Sequence, residues 1–286
     1  MIREELIVNL RRRAHILRII RSFFDSRDFI EVSTPVRIAA PAPEAHIDCP
    51  VVPSADGAGR TTYLRASPEL QMKKLLADGL RQIYQIGPCF REGEKGRRHN
   101  PEFTMIEWYR RDADYLDIAR DAEELLTVLF PVRPTFSRLT VREAYRRYAG
   151  WDPWLDWNQD RFDFDMATKI EPNLPKTPVF LMDYPKQAAS LAKVRGDVAE
   201  RWELYVNGIE LANCFTELSD SSEQRERFLT AKVERRSLGE SDYPIDEEFL
   251  AKLPQMGAAS GVALGIDRLV MVLCGKSEIS AVMASE

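Results

Sequence analysis

Phe90 to Arg110 reads FREGEKGRRHNPEFTMIEWYR, a charged loop held between two apolar runs. Ile83-Tyr84-Gln85-Ile86 before it and Phe103 to Tyr109 within it alternate with period two, the pattern of half-buried strands, so the stretch predicts a β-hairpin. Successive side chains of a strand point to opposite sides, which puts Phe103, Met105, Glu107 and Tyr109 on one face. An aromatic plate, a carboxylate and a phenol make an odd core. The loop adds Arg91, Lys95, Arg97, Arg98 and His99, donors suited to a polyphosphate, while Phe103 offers a flat surface for a base. The plainer alternative is a charged hairpin tip in solvent.

The 286 residues are ample for a core, and 44% hydrophobic with 30% charged residues is the composition of a soluble globular protein. A net charge of -5 argues against a broad nucleic-acid surface but leaves room for a local basic pocket. Cys49, Cys89, Cys214 and Cys274 lie far apart without metal-type spacing and suit core positions in a reduced, cytoplasmic protein. No apolar run approaches the roughly 18 residues of a membrane span.

Outward from the hairpin, Ile7, Leu10, Ala14, Leu17, Ile20 and Phe24 predict an opening amphipathic helix, and Phe29 to Val32 a short strand. Residues 39–60, rich in Ala, Pro and Gly, read as a loop. Tyr63 to Ala66 is strand-like, and Ser67-Pro68-Glu69 reads as a helix start with Ser67 as cap and Pro68 at the first helical position. Leu116 to Leu129 predicts another amphipathic helix, residues 150–178 with Trp151, Trp154 and Trp157 a surface insertion, and Val179 to Met182 a strand. Trp202 to Leu211, WELYVNGIEL, is a hairpin signal, because Asn207-Gly208 favours a type I′ turn. In that register Tyr205 faces Glu210, and Glu203 and Glu210 emerge on one face, either as unrelated solvated acids or as hard ligands suited to Mg²⁺. Strict alternation sends Asn213 and Glu217 to the other face unless a bulge intervenes. Ser219 to Leu238 predicts a polar helix, and GAASGVALG, Gly257 to Gly265, a strand leading into a helix at Ile266 to Leu273 that starts with Asp267 and Arg268. With no G-x-G-x-x-G, no P-loop and no regular helical crossovers, the chain reads as one α+β domain: an antiparallel sheet with helices around it.

Phe29 to Pro35, Phe90-Arg91 to Arg110, and Gly261 to Arg268 resemble motifs one, two and three of class II aminoacyl-tRNA synthetases, in the right order and over nearly the whole chain. RHNPEFTMIEWY and GIELANCFTEL are most similar to the lysyl type. The expected plan is a single catalytic domain over 1–286 without the anticodon-reading OB-fold of lysyl-tRNA synthetases. That plan resembles the elongation factor P lysyltransferase family, as does Ala263, where lysyl-tRNA synthetases have glycine. The resemblance implies a ligase in which ATP activates lysine, preferably (R)-β-lysine, as the adenylate, for transfer to a lysine of elongation factor P. It further implies a homodimer through the segment around Pro35. A shortened synthetase that charges tRNA and an inactive paralogue used as a binding module are the alternatives. The acidic balance argues against the first, and retention of Arg91, Glu203, Glu210 and Arg268 against the second.

By the same resemblance Arg91 meets the substrate carboxylate and α-phosphate, Phe103 and Arg268 enclose adenine, and His99, Asn100, Leu211 and Gly265 lie along the nucleotide. Ser67 and Glu69 fall near the α- or β-amino end, Glu107, Tyr109 and Glu217 around the ε-ammonium, and Asn213 on the carboxylate, with Ala263 in the amino-acid pocket. Glu203 and Glu210 would hold Mg²⁺. The chain has Glu92-Gly93-Glu94 where the family has Asn-Glu, and Glu94 is assigned the adenine edge. Cys214 stands in place of a common glycine.

Overall fold

In a computed structural model that describes residues 2–53, 59 and 61–284, the chain opens with helix α1 (Ile2–Asp25). Short strands β1 (Ile30–Glu31), β2 (Arg37–Ile38), β3 (Val51–Val52) and β4 (Thr62–Leu64) precede α2 (Glu69–Ala77). The long hairpin β5 (Gln82–Phe90) and β6 (Glu102–Arg111) leads to α3 (Tyr115–Leu129), β7 (Ser137–Thr140), α4 (Val141–Ala144) and α5 (Gln159–Asp165). Then come β8 (Val179–Pro185), β9 (Val194–Arg195), β10 (Val198–Val206) and β11 (Ile209–Thr216). Helices α6 (Ser221–Ser237) and α7 (Glu247–Met256), strand β12 (Ala259–Gly265) and α8 (Ile266–Leu273) follow.

One sheet carries the molecule in the order β1-β5-β6-β12-β11-β10-β8-β7, with β9 on β10. The expected antiparallel pairing holds from β5 to β8, but the edge pairs β1 with β5 and β7 with β8 are parallel, so the sheet is mixed. β12 reaches the centre from far along the chain: Gly261 lies opposite Tyr109 and Ala263 opposite Glu107, while on its other side Ala263 meets Asn213. One face of the sheet packs against α1, α3 and α8 around Phe24, Tyr84, Trp108, Trp202 and Val262. Phe24 stacks on Tyr84 at 4.8 Å and leans on Trp108 at 5.2 Å, so the opening helix is bound by aromatic contacts as well as buried area. The opposite face is covered towards one end by α2 and α7 and towards the other by a second core, and the cavity described below opens between them.

Two readings of the sequence require correction. Residues 150–178 are more than a surface insertion: Phe162, Ile170 and Leu174 are buried with Tyr145, Val179 and Leu181 in a second core, and Trp151, Trp154 and Trp157 pack against it. Prolines and short turns break the helical period there, so the apolar set has no visible stripe. The 39–60 loop contains Val51–Val52, which joins β2 and β4 in a small second sheet, order β2-β4-β3. Residues 54–58 and 60 of that loop lie outside the described residues. α2 begins one residue later than expected, at Glu69, whose N–H donates to the Ser67 hydroxyl at 3.0 Å. No helix of the described residues is long and apolar enough to cross a membrane.

Candidate active site

A cavity of about 310 Å³ opens on the face of the sheet opposite α1, α3 and α8, and sixteen of the seventeen residues singled out above line it. β6 contributes Phe103, Glu107 and Tyr109, and β12 contributes Ala263 and Gly265. Ser67 and Glu69 stand at the start of α2, Arg91, Glu94, His99 and Asn100 on the hairpin loop, and Arg268 at the start of α8. Lys95 and Arg97 point to solvent, whereas Arg98 joins the wall.

The bulge that Asn213 needs to reach the face of Glu210 is present in the β10–β11 hairpin. Tyr205 pairs with Glu210, but Leu204 pairs with Ala212, so Leu211 is an extra residue and the phase resets. Leu211 and Ala212 are both buried, and Glu210, Asn213 and Phe215 share the cavity face with Glu203. The bulge brings the two acids and the amide into one site. Leu211 thus also lines the cavity.

At one end the groups are carboxylates. Glu107 is 1% exposed; it accepts from the Ser67 hydroxyl at 2.6 Å and from the Tyr109 hydroxyl at 2.7 Å. Burial pushes its pKa up to about 7, with a further push from Glu69. Glu217, the seventeenth residue, is absent from the cavity wall. It is buried behind it, in contact with the ammonium of Lys73, which also pairs with Glu69 and is itself 1% exposed. Burial alone would lower the Lys73 pKa, yet Glu217 and Glu69 outweigh it and keep the ammonium charged. Burial raises Glu217 to about 8 even with Lys73 pulling the other way. Lys73 was not singled out from sequence, although its four-residue spacing from Glu69 on a helix was the available signal. Gly261 is the backbone's concession to this end: a Cβ there would lie 2.1 Å from the Tyr109 ring.

The other end is rich in arginine. The Arg91 guanidinium sits 5.2 Å over the Phe103 ring and 3.5 Å from Glu94. Arg268 donates to the Glu210 carbonyl at 3.0 Å and to its carboxylate at 3.3 Å, and its other terminal nitrogen contacts the His99 ring. Burial, and then Arg268, lowers the His99 pKa. Arg201, also missed from sequence, donates to Glu203 at 2.6 Å and to Asn213 at 3.2 Å, and the Tyr205 hydroxyl donates to Glu203 at 2.6 Å. Burial and the neighbouring Glu203 charge raise Glu210 to about 7. Asp267 braces this end by accepting the Thr104 N–H at 2.6 Å and pairing with Arg13 of α1.

Such a site can seat a cationic amino acid at one end and a polyphosphate with a flat base at the other, with both reacting groups aligned between. The family described as tRNA synthetases class II (D, K and N) matches residues 1–284. Among curated proteins, the chain is similar to proteins named elongation factor P (R)-β-lysine ligase. Those of Proteus mirabilis, Photorhabdus laumondii and Edwardsiella ictaluri are 38%, 39% and 37% identical, each over 97% of this chain and 94% of the relative.

Proposed function

This chain belongs to the class II tRNA synthetases of the D, K and N group, and we propose that it activates (R)-β-lysine with ATP and passes the β-lysyl group to a lysine of elongation factor P. It is a ligase that uses ATP. The observation that carries the reading is the polarity of one cavity, with carboxylates at one end and arginines beside an aromatic plate at the other. We read residues 1–286 as one catalytic domain, acting in the cytoplasm.

The amino-acid carboxylate attacks the α-phosphorus, the bond to the bridging oxygen of pyrophosphate breaks, and an acyl phosphate forms. No side chain has to become covalently attached, so catalysis rests on alignment and on offsetting charge. Glu69 and Glu107 receive the ammonium groups, since a buried cation needs carboxylates, and Glu217 acts from behind through Lys73. Asn213 and Arg91 orient the carboxylate, Phe103 and Arg268 enclose the adenine, Glu94 takes its edge, and His99, Asn100, Leu211 and Gly265 line the nucleotide. Glu203 and Glu210 would hold Mg²⁺. The two acids share one cavity wall, and the neighbouring Glu203 charge raises the Glu210 pKa, the mark of a carboxylate pair that a divalent cation would relieve. When bound, the ion draws charge from the phosphates.

A homodimer through the motif-one segment fits the exposed apolar side chain of Ile30 on the edge strand β1, which is 49% exposed. The function is tested by ATP–pyrophosphate exchange with (R)-β-lysine and with α-lysine, followed by mass spectrometry of elongation factor P and a tRNA-charging assay. Exchange with β-lysine and a lysyl-sized mass gain on the factor are expected. Efficient tRNA charging with an unmodified factor would remove the protein acceptor from the reading.

A further inference from the structure

Resting on that reading of the acceptor, we infer that Glu44 is the catalytic carboxylate that deprotonates the incoming acceptor amine, and that the groove outside it admits the lysine-bearing loop of the acceptor protein. The groove, about 590 Å³, lies between Pro43-Glu44-Ala45, the turn over residues 186–194 and helix α6. Glu44 and Ser190 line both this groove and the catalytic cavity, so they form the passage between them.

Both rims are pinned by arginines of α6. Arg235, 0% exposed, donates to the carbonyls of Glu44 at 2.7 Å and Ile47 at 2.9 Å, which fixes the Glu44 backbone. Arg227 donates to the carbonyls of Ser190 at 2.7 Å and Ala192 at 2.8 Å, holding Ser190 with φ of 51°, a left-handed conformation that few non-glycine residues adopt. A passage defined from both sides by buried or paired cations is a built feature of the fold.

Among the described residues no hydrogen bond or ion pair reaches the Glu44 carboxylate, although it is surrounded by charge. It shares the cavity wall with Ser67 and Glu69 of the amino end and with Arg91 and Arg201 of the phosphate end. A carboxylate on that wall, at the passage through which the acceptor enters, stands over the cavity in which the acyl carbon of an adenylate must lie. Burial first, and then Glu69, raises its pKa, which improves it as a base near neutral pH. The groove is lined by Glu44, Glu223, Glu226 and Glu234 against Lys186 and Arg227, and Arg227 is paired with Glu223. The acidic excess favours a cationic occupant, and a protein loop carrying lysine supplies one.

The step balances. The acceptor arrives as an ammonium, and Glu44 takes one proton. The freed lone pair forms the C–N bond to the acyl carbon, and the C–O bond to phosphate breaks with its electron pair leaving on AMP. The second nitrogen proton passes to water.

The test uses single turnover of preformed adenylate with elongation factor P from pH 6 to 9.5, alongside ATP–pyrophosphate exchange. For Glu44→Gln the ratio of transfer to exchange should fall by at least about tenfold at pH 7, and the remaining transfer should rise about tenfold per pH unit. Glu44→Asp should recover part of the ratio and the shallow pH profile. Glu226→Lys with Glu234→Lys should raise the concentration of factor needed for half-maximal transfer at least about fivefold at low salt. A Glu44→Gln ratio within twofold of wild type, with a superimposable pH profile, overturns the inference while leaving the function intact. Failure of the wild-type protein to modify the factor at all overturns the function, and this inference with it.

Discussion

The two ends of the cavity treat carboxylates in opposite ways. Glu107 and Glu217 at the amino end and Glu210 at the phosphate end are all pushed upward by burial, to about 7, 8 and 7. At the amino end the ion pairs among the described residues are those of one buried lysine with Glu69 and Glu217, while Glu107 is hydrogen-bonded to neutral hydroxyls and the buried Arg65 acts on it without pairing. At the phosphate end each acid already holds an arginine, Glu203 with Arg201 and Glu210 with Arg268. One end is therefore incomplete until a cation arrives. The other is a set of ion pairs that an anion and a metal can repartition. The same residue type thus serves recognition at one end and charge management at the other, according to what stands beside it.

The largest break in this comparison should come from Lys73→Met. Removing one partner of a buried ion pair strands its carboxylates, which typically costs about 3–5 kcal/mol. We expect a loss of that size in urea unfolding, together with loss of lysine-dependent exchange. Adding Glu217→Gln should return at least about half of the stability, because the damage is uncompensated charge and not lost volume. A single variant as stable as wild type would show that the amino end needs no internal cation.

Arg268→Ala comes next and acts at the other end. Because Arg268 sits partly in solvent, its removal should leave the fold near wild-type stability, yet exchange should drop about 10²–10³-fold, the range seen when one preorganised donor to a developing charge is lost. A fall confined to ATP affinity, with an unchanged maximal rate, would assign Arg268 to binding alone.

How far these ends could be read in advance differs for the same physical reason. The β5–β6 hairpin and the Asn207-Gly208 turn follow from local alternation and turn chemistry, and their faces and registers stand as expected. The bulge at Leu211 does not, because the phase of β11 is set by what must be buried against β12 and the helices behind it. The resemblance alone assigns Glu217 to the amino end, and a resemblance carries no depth. Only the packing of α2 against the sheet puts Lys73 between Glu217 and Glu69. Glu44 sits in an Ala/Pro-rich loop with no periodicity, and its position depends on Arg235, far along the chain.

The pH dependence separates the ends further. Glu107, whose partners are neutral hydroxyls, binds a proton in the folded protein up to about pH 7, whereas the unfolded chain releases it near the usual 4.5. Its contribution to stability is whole below pH 4.5 and is lost as pH rises through 7. Ligand-free protein should accordingly lose roughly 2 kcal/mol through Glu107 between pH 5.5 and 8.5, and Glu107→Gln should flatten that slope. Saturating β-lysine, which binds the ionised carboxylates, should flatten it too, whereas AMP alone should not. Equal flattening by AMP would mean that the carboxylates answer to the phosphate end.

The smallest effect expected is also the most local. Ala263 lies on β12 between Asn213 and Glu107, its methyl facing the amino-acid end of the cavity. Moving an amino group from the α- to the β-carbon displaces one ammonium by about a bond length while the ε-ammonium and the carboxylate keep their partners. A methyl in the wall can therefore discriminate by shape without touching any charge. Ala263→Gly should shift relative exchange rates toward α-lysine by about 1 kcal/mol, the low end of the range for one methylene-sized change, or roughly fivefold. Because the substitution adds no strain in an extended strand, unfolding should change little and the shift should appear in kcat/KM for the two isomers. An unaltered isomer ratio would place the discrimination in Ser67 and Glu69, and would leave the carboxylate end to select its substrate by charge alone.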